Sequence, residues 1–460
     1  MTKLFGLLSI CLLRVTCGHT RLGNEILRNS GYEVSHFSPP ILGRESQRPS
    51  PTGYSELSFT LHDFLSVCKQ IQELQGRRVA ILSNPTGVFQ DTLDHIVDDS
   101  VASGVNVACI LSPEHGFRGD HQAETGDPLF YIDEQTGLPV LSAYKMQPSE
   151  MASALSKLGV DCILVDLQDV GVRLYTFVWT MYAVMEAAQL FGSGFRFVIA
   201  DRPNPLGGVL VDGPLLNVSC CASGYGRVAI THVHGLTIGE LGLFFNASLA
   251  ATLEPGAGMP ELVVVKAEGW RRHQQWEDTG LAWVPPSPNL PTPLSSLAYG
   301  ATVFIEATTV AEGRGTTTPF TLFGAPFLGA PALAVALNNG TSTNETDHRA
   351  SFRAAYFNPT FSKYNGTDCA GVQWVRDVAP LFSLAALVLV TLRDISPPGA
   401  FQWNGSWFGH PGTELIDEYA GTPAFREMID NGSTALEIAS AFIDDVKAFR
   451  ETRAAFLLYD

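Results

Sequence analysis

Over the first half of the chain, short wholly apolar runs alternate with longer helical patterns, and each run is stopped by polar residues. Arg78–Leu82 reads as a buried strand ending at Ser83-Asn84-Pro85-Thr86-Gly87, and Val105–Leu111 as a second strand stopped by Pro113. Val140–Tyr144 fits a short strand. Cys162–Val165 is a further one, closed by Asp166-Leu167-Gln168-Asp169, and Phe195–Ala200 is closed by Asp201-Arg202-Pro203-Asn204-Pro205. Leu61–Leu74, Thr92–Ser100, Pro148–Leu158 and Thr176–Phe191 carry helical spacing between and before them. Strands alternating with helices predict an α/β fold, a Rossmann-like parallel sheet with right-handed crossovers.

From Gly207 to Pro293 the pattern is mixed, with a helix starting after His234 and running through Leu249, and a strand over Glu261–Lys266. The proline-dense Trp283–Thr292 is rigid and marks the best boundary. Beyond it, Val303–Glu306 reads as a strand end leading into the loop Ala311–Phe320. Strands over Phe352–Pro359 and Gly371–Val375 and helices near Pro380–Leu392 and Ser433–Arg450 predict a smaller α+β domain. The expected division is a signal peptide over 1–18, a loosely ordered extension over 19–60, an α/β domain over 61–292 and an α+β domain over 293–460.

Composition narrows this picture. With 45% apolar and 16% charged residues in 460, the chain has material for large cores. A net charge of −17, with no segment dense in Lys or Arg, argues against nucleic acid as a partner. The start, MTKLFGLLSICLLRVTCG, has an early cation, a short apolar run and small residues after it, the pattern of a secretory leader; no later run is long enough to span a bilayer. Asn-x-Ser/Thr sequons at Asn217, Asn246, Asn339, Asn344, Asn365, Asn404 and Asn431 point the same way, to a glycosylated protein that is secreted or lysosomal. Cys109 and Cys162 fall in expected strands as small apolar residues, while Cys68, Cys220, Cys221 and Cys369 are available for pairing.

The chemistry concentrates at the strand ends. In a parallel sheet the ends carrying Asn84, Glu114-His115, Asp166/Asp169 and Asp201-Arg202-Asn204 lie along one carboxyl edge, where such folds bind ligands. No G-x-G-x-x-G follows the first strand and no P-loop is present, so neither a dinucleotide nor another cofactor is expected. His115, Asp120, Asp169 and Asp201 lack the short spacing of a metal site, and no metal is expected. Glu114 is the leading acid: it follows a buried strand, and partial desolvation suits a proton donor for glycoside cleavage.

Taken together, the motifs resemble the exo-β-N-acetylmuramidases (NamZ-type glycoside hydrolases), a mostly bacterial family long of unknown function. The resemblance rests on Asn84–Val88, Ser112–Asp120, Thr136–Val140, Asp166–Thr176, Asp201–Gly208, His234–Glu240, Pro286–Thr292 and Glu312–Phe320, with weaker matches at Phe357–Lys363 and Thr422–Arg426. It runs in the family's order from about Gly76 to the C-terminus. It implies a Rossmann-like domain followed by a smaller one, with the site between them, and removal of non-reducing terminal N-acetylmuramic acid from peptidoglycan fragments or related amino-sugar oligosaccharides. Two segments depart from the family's usual runs, Gln122–Gly126 and Glu306–Thr309, and both bear on substrate preference.

On this reading Glu114 is acid/base, and the second catalytic group is open between Glu306, Glu312, Asp169 and Asp201, or the sugar's own N-acetyl group. The lactyl carboxylate of N-acetylmuramic acid calls for an arginine; Arg118, Arg173, Arg202 and Arg314 lie in the matching motifs, with Arg173 and Arg314 favoured. For Arg202, an ion pair with Asp201 or Asp169 is an equal reading. Asn84, Tyr175, Asp201 and Asn204 are further sugar contacts, and His115 and His234 either bond a hydroxyl or orient Glu114 and Glu240. The alternative function is a non-catalytic amino-sugar or muropeptide-binding protein using the same crevice.

Overall fold

The structure is a computed structural model that describes residues 21, 22, 25, 28, 74, 76–122, 128–254, 258–341, 350–376, 380–405 and 414–460. The leader, the helix expected over Leu61–Leu74 (Leu74 apart) and Cys68 lie outside the described residues. Of the expected extension only residues 21, 22, 25 and 28 are described, and three of them meet the folded part. Arg21 forms a backbone bridge with Glu268, Leu22 is buried, and Glu25 accepts from the Gln90 amide at 2.7 Å.

In chain order the first half comprises β1 (Val79–Ser83), α1 (Ile96–Ala102), β2 (Val107–Ser112), β3 (Phe130–Ile132), β4 (Pro139–Ser142), α2 (Pro148–Lys157), β5 (Cys162–Asp166), α3 (Phe177–Gln189), β6 (Arg196–Ala200), β7 (Asp212–Leu215), α4 (Val218–Cys221), β8 (Thr231–Val233), α5 (Ile238–Ala250), β9 (Glu261–Val265) and α6 (Trp276–Thr279). Seven of these strands form one sheet in the order β3-β4-β2-β1-β5-β6-β9, parallel except for β3. Its central strands β1 and β5 are buried end to end because both faces are covered there. Ala80, Leu82, Ile163 and Val165 enter one core, and Val79, Ile81, Cys162 and Leu164 enter a second core on the opposite face. That alternation is the period of two of a pleated strand.

Chain order reverses beside β1: β2 and β4 lie to one side, β5, β6 and β9 to the other. The loops after β1 and β5 therefore flank the topological switch point, where a crevice opens at the carboxyl ends of the strands, and the loop after β2 lies one strand away. Glu114 follows β2 and Asp169 follows β5.

The second half holds α7 (Pro293–Thr302), a 3-10 turn (Val303–Ala307), β10 (Leu322–Ala325), α8 (Ala330–Gly340), β11 (Ser351–Phe357), β12 (Cys369–Arg376), α9 (Leu381–Ile395), α10 (Leu415–Ala420), α11 (Ala424–Asp430), α12 (Ala435–Ala441) and α13 (Ile443–Arg453). Its sheet is antiparallel, in the order β10-β12-β11. The larger of the two cores runs without a break from Leu82 and Val165 to Phe323, Trp374 and Leu392, so the two sheets share buried surface.

Three sequence expectations change here. Val303–Glu306 is a 3-10 turn, not a strand end, because α7 runs straight into it and all of its residues are buried. The single last helix is two, α12 and α13, broken at Phe442. Of the cysteines, adjacent Cys220 and Cys221 are joined, whereas Cys369 is a free buried thiol that burial pushes up to about 11.

Candidate active site

Glu114 sits on a turn that the sequence forces. Pro113 ends the strand pairing, His115 takes a left-handed φ of 73°, and Gly116 follows at 82°. A Cβ on Gly116 would stand 2.6 Å from His121 Nδ1, so the turn closes only over glycine. His115 Nδ1 lies 3.2 Å from the His121 carbonyl, a contact that braces the turn. The carboxylate itself is half-buried and accepts a 2.6 Å hydrogen bond from Thr176 Oγ1. Thr176 immediately precedes α3, so Glu114 meets the N-terminal end of a 13-residue helix, where negative charge is favoured.

The segment joining β5 to α3 carries the other sheet-edge groups. Asp169 Oδ2 accepts from the Gly171 amide at 2.7 Å and from His234 Nε2 at 3.2 Å. Because His234 Nδ1 accepts from the Leu236 amide at 3.1 Å, its ring proton is on Nε2 and points at Asp169. His234 thus orients Asp169, not Glu240. Asp169 Oδ1 is buried and has no hydrogen-bond partner, and the same is true of Tyr175 Oη, Gln168 Oε1 and Asn84 Nδ2. Asn84 Oδ1 is held by the Thr86 amide and hydroxyl, at 3.2 and 2.6 Å. Buried polar atoms are normally paired, so this cluster of unpaired atoms along one sheet edge marks a place built for a polar ligand.

Four tyrosines, two from each half, and a charge cluster from the second half complete the site. The Tyr175 ring meets Tyr299 edge-on at 5.9 Å, Tyr299 meets Phe320 at 4.9 Å, and Tyr225 meets Tyr419 at 4.8 Å. Burial raises the phenols of Tyr175, Tyr225 and Tyr299; Glu306 adds to this at Tyr225 and Tyr299, and Glu114 at all three. Glu306, in the 3-10 turn, is bound through Oε1 by Arg314, with Nε at 2.7 Å and Nη2 at 2.6 Å, and through Oε2 by Tyr419 Oη at 3.0 Å. Glu312 faces Lys363 Nζ at 3.1 Å and Arg314 Nε at 3.5 Å. Burial raises the Glu306 carboxyl against the pull of Arg314, and Glu312 adds to the rise. Burial pulls Arg314 down, but Glu306 and Glu312 outweigh it and hold the guanidinium charged. Its Nη1 is buried without a hydrogen-bond partner.

Several expected contacts turn out to be struts. Arg173 is fully buried, donating to the Tyr225 carbonyl at 2.9 Å and the Tyr419 carbonyl at 2.6 Å; burial lowers it to about 9. It fixes two of the tyrosines and is not placed as a carboxylate clamp. Arg118 is held by Asp98 and Asp133 through four hydrogen bonds and stacks over Phe117. Arg202 pairs with Asp166, neither Asp201 nor Asp169. Asp201 accepts from the Arg202 and Gly239 amides, the Thr237 hydroxyl and Tyr459 Oη, and burial raises it to about 6. Asn204 bonds the Leu236 carbonyl and the Leu206 amide beneath Gly171. Asp201, Arg202 and Asn204 thus shape the edge from below. Among the described residues, no group of three or more His, Cys, Asp or Glu could hold a metal ion.

Sequence reasoning passed over Thr176, Tyr225, Tyr299, Tyr419 and Lys363. A signal for the tyrosines exists: Tyr225, Tyr299 and Tyr419 are each followed within two residues by a glycine, Gly226, Gly300 and Gly421. At Gly226 and Gly421 a Cβ would crowd the Arg173 guanidinium, at 2.9 and 3.0 Å.

A solved DUF1343 family protein from Bacteroides fragilis NCTC 9343 is 28% identical and superposes with a TM-score of 0.71, covering 86% of this chain and 98% of its own. A second from the same organism is 30% identical, with a TM-score of 0.64 and coverage of 84% and 95%. The peptidoglycan β-N-acetylmuramidase NamZ of Bacillus subtilis (strain 168) is 38% identical over 395 residues, 84% of this chain and 88% of that protein. Models of the N-terminal and C-terminal parts of the exo-β-N-acetylmuramidase NamZ match residues 79–294 and 297–459. The chain belongs to the NamZ exo-β-N-acetylmuramidase family.

Proposed function

We propose that this protein is a glycoside hydrolase that releases terminal non-reducing N-acetylmuramic acid from peptidoglycan-derived fragments, with Glu114 as the general acid/base. The observation that carries the reading is the position of Glu114 on the carboxyl edge of the sheet, one strand from its switch point, held by Thr176 and within electrostatic reach of the tyrosines that also meet Glu306. The similarity to the Bacillus enzyme over most of both chains supports the same reaction class. Arg314 is the arginine for the lactyl carboxylate: Nη1 is buried without a hydrogen bond while Nη2 is ion-paired with Glu306, and the Arg314–Lys363–Glu306–Glu312 cluster balances to zero formal charge before substrate enters.

Export and N-glycosylation belong to the same proposal, supported by the apolar leader and by exposed sequon asparagines at Asn217, Asn339, Asn365 and Asn431. Secretion or delivery to lysosomes would bring the protein to extracellular or engulfed peptidoglycan.

The test is incubation of the purified protein with chromogenic β-N-acetylmuraminide and β-N-acetylglucosaminide. Release from the first, abolished in a folded Glu114→Gln variant, is the expected result. Saturable binding of the sugar with no release from either substrate would make the protein a binding protein and overturn the proposal.

A further inference from the structure

Of the four carboxylates weighed as partners for Glu114, Asp201 and Glu306 have both oxygens hydrogen-bonded, and Glu312, though its Oε2 lacks a hydrogen bond, is ion-paired through one oxygen with Arg314 and through the other with Lys363. Asp169 differs. Its Oδ2 is locked by Gly171 and His234, and its Oδ1 has neither a hydrogen bond nor an ion pair, although the residue is only 4% exposed. Tyr175, 6% exposed, likewise buries an unpartnered hydroxyl, and its phenol feels the charges of Asp169 and Glu114 together. An unpaired acceptor and an unpaired donor, both carried by the segment that joins β5 to α3, are the complement of a secondary amide, which offers one N–H and one C=O. Neither atom is subject to the orientation ambiguity of an Asn or Gln amide.

We infer that Asp169 Oδ1 and Tyr175 Oη hold the 2-acetamido group of the sugar, and that this group's carbonyl oxygen is the nucleophile. The inference rests on the amino-sugar hydrolase reading above. Asp169 and Glu114 share one wall, the sheet edge, with their strands β5 and β2 two places apart, about 9.6 Å between backbones. A protein nucleophile would have to stand across the sugar from the acid, on the wall where Glu306 and Glu312 are already occupied.

In the first step the carbonyl oxygen forms a bond to C1 while the bond from C1 to the leaving oxygen breaks. That oxygen keeps the electron pair and takes the proton of Glu114. The amide proton is drawn onto Asp169 Oδ1, leaving a neutral oxazoline. In the second step water adds to C1, giving one proton to Glu114; the bond between C1 and the acetyl oxygen breaks, and the amide nitrogen recovers its proton from Asp169. The sum is hydrolysis with the anomeric configuration retained. His234, fixed as a donor to Oδ2, supports the charge that Asp169 carries at the start and end of the cycle.

The experiment uses the native protein and 4-nitrophenyl β-muraminides bearing N-acetyl, N-fluoroacetyl, N-difluoroacetyl and N-trifluoroacetyl groups. Each fluorine weakens the carbonyl oxygen as a nucleophile, so kcat/KM is expected to fall by about 100-fold or more across the series. A second measurement takes the 1,2-thiazoline analogue of the sugar as probe: Asp169→Asn and Tyr175→Phe, with folding checked by circular dichroism, are each expected to bind it about tenfold or more weakly than the native protein. A flat fluorine series with steady release, or a covalent glycosyl-enzyme trapped on a 2-fluoro glycoside, overturns the inference while leaving the hydrolase reading intact. Unchanged thiazoline binding in both variants removes Asp169 and Tyr175 from the role. No release from any of the four glycosides overturns the hydrolase reading and this inference with it.

Discussion

Thr176 Oγ1 donates to Glu114 Oε2 at 2.6 Å, joining the loop after β2 to the residue that opens α3. The bond spans 62 positions of sequence and crosses the end of β1. It turns a loop carboxylate into one held by the rigid part of the sheet, as catalysis requires of a group that must meet a reacting atom within fractions of an ångström.

Removing that hydroxyl should therefore affect turnover more than binding. Thr176→Val, nearly isosteric, is expected to lower kcat by about 10- to 100-fold with KM changed less than about threefold, and Thr176→Ser to restore most of the loss. Steady-state kinetics on a chromogenic muraminide checks this. A lost KM with native kcat would show that Thr176 serves substrate binding instead.

The edge on which Glu114 sits was readable because its physics is local. Runs such as Val79–Leu82 and Cys162–Val165 have no polar position, which only a strand covered on both faces tolerates, and the polar residues at their ends had to fall together. What was not readable depends on contacts distant in sequence. Arg173 looked like a clamp because nothing local says that its guanidinium caps the carbonyls of Tyr225 and Tyr419, the latter 246 positions away. Arg202 finds Asp166 across the sheet rather than its neighbour Asp201, whose oxygens go to Thr237, Gly239 and Tyr459. Val303–Glu306 misled for another reason: a segment buried all round shows no period, and only the helix running into it decides its shape.

The C-terminus acts as a clasp on the sheet edge. Tyr459 Oη donates to Asp201 Oδ2 at 2.6 Å and accepts from the Ala267 amide at 2.9 Å. Tyr459→Phe leaves a buried carboxylate short of one donor and a backbone N–H short of its acceptor. The expected loss is roughly 2–4 kcal/mol in urea unfolding. A loss below about 0.5 kcal/mol would mean that water replaces the hydroxyl at both atoms.

Asn404 is a sequon that should stay bare. Its Nδ2 donates to the Glu306 and Thr308 carbonyls at 2.8 and 2.9 Å, so the nitrogen a glycan would use is committed to the backbone that carries Glu306. Mass spectrometry of the protein secreted from a eukaryotic host is expected to find glycan at one or more of Asn217, Asn339, Asn365 and Asn431 and none at Asn404. A glycan at Asn404 would require this turn to rearrange.

His232 should make the fold sensitive to acid. The ring is buried, donates from Nε2 to the Gly300 carbonyl at 2.7 Å and packs on Phe304; burial lowers it to about 3 from an ordinary 6.5. Between those values the unfolded chain binds a proton that the folded one refuses. The contribution is thus present above pH 6.5 and lost as pH falls toward 3, by up to about 4–5 kcal/mol. Asp201, raised to about 6, acts in the opposite sense between 3.8 and 6. The native profile there is the sum, and the difference between native and His232→Gln isolates the histidine. That difference should widen from pH 3 to 6.5 and then level; a constant difference would contradict the buried neutral ring.

Arg314 binds two buried carboxylates at once, and this sets the last expectation. Arg314→Met leaves Glu306 with Tyr419 alone and Glu312 with Lys363 alone. Breaking a buried pair from one side is expected to cost about 3–5 kcal/mol. Because burial already raises Glu306 above its ordinary 4.5, losing the cation that opposes the rise should lift it further. A carboxyl raised in the folded state keeps its proton there as pH climbs, so stability is retained below 4.5 and lost above it. Urea unfolding of Arg314→Met should consequently show a deficit that grows from pH 4 to 7, and adding Glu306→Gln should remove most of that growth. A deficit independent of pH would mean that Arg314 stabilises the fold through its packing over Phe320, 5.2 Å away, rather than through charge.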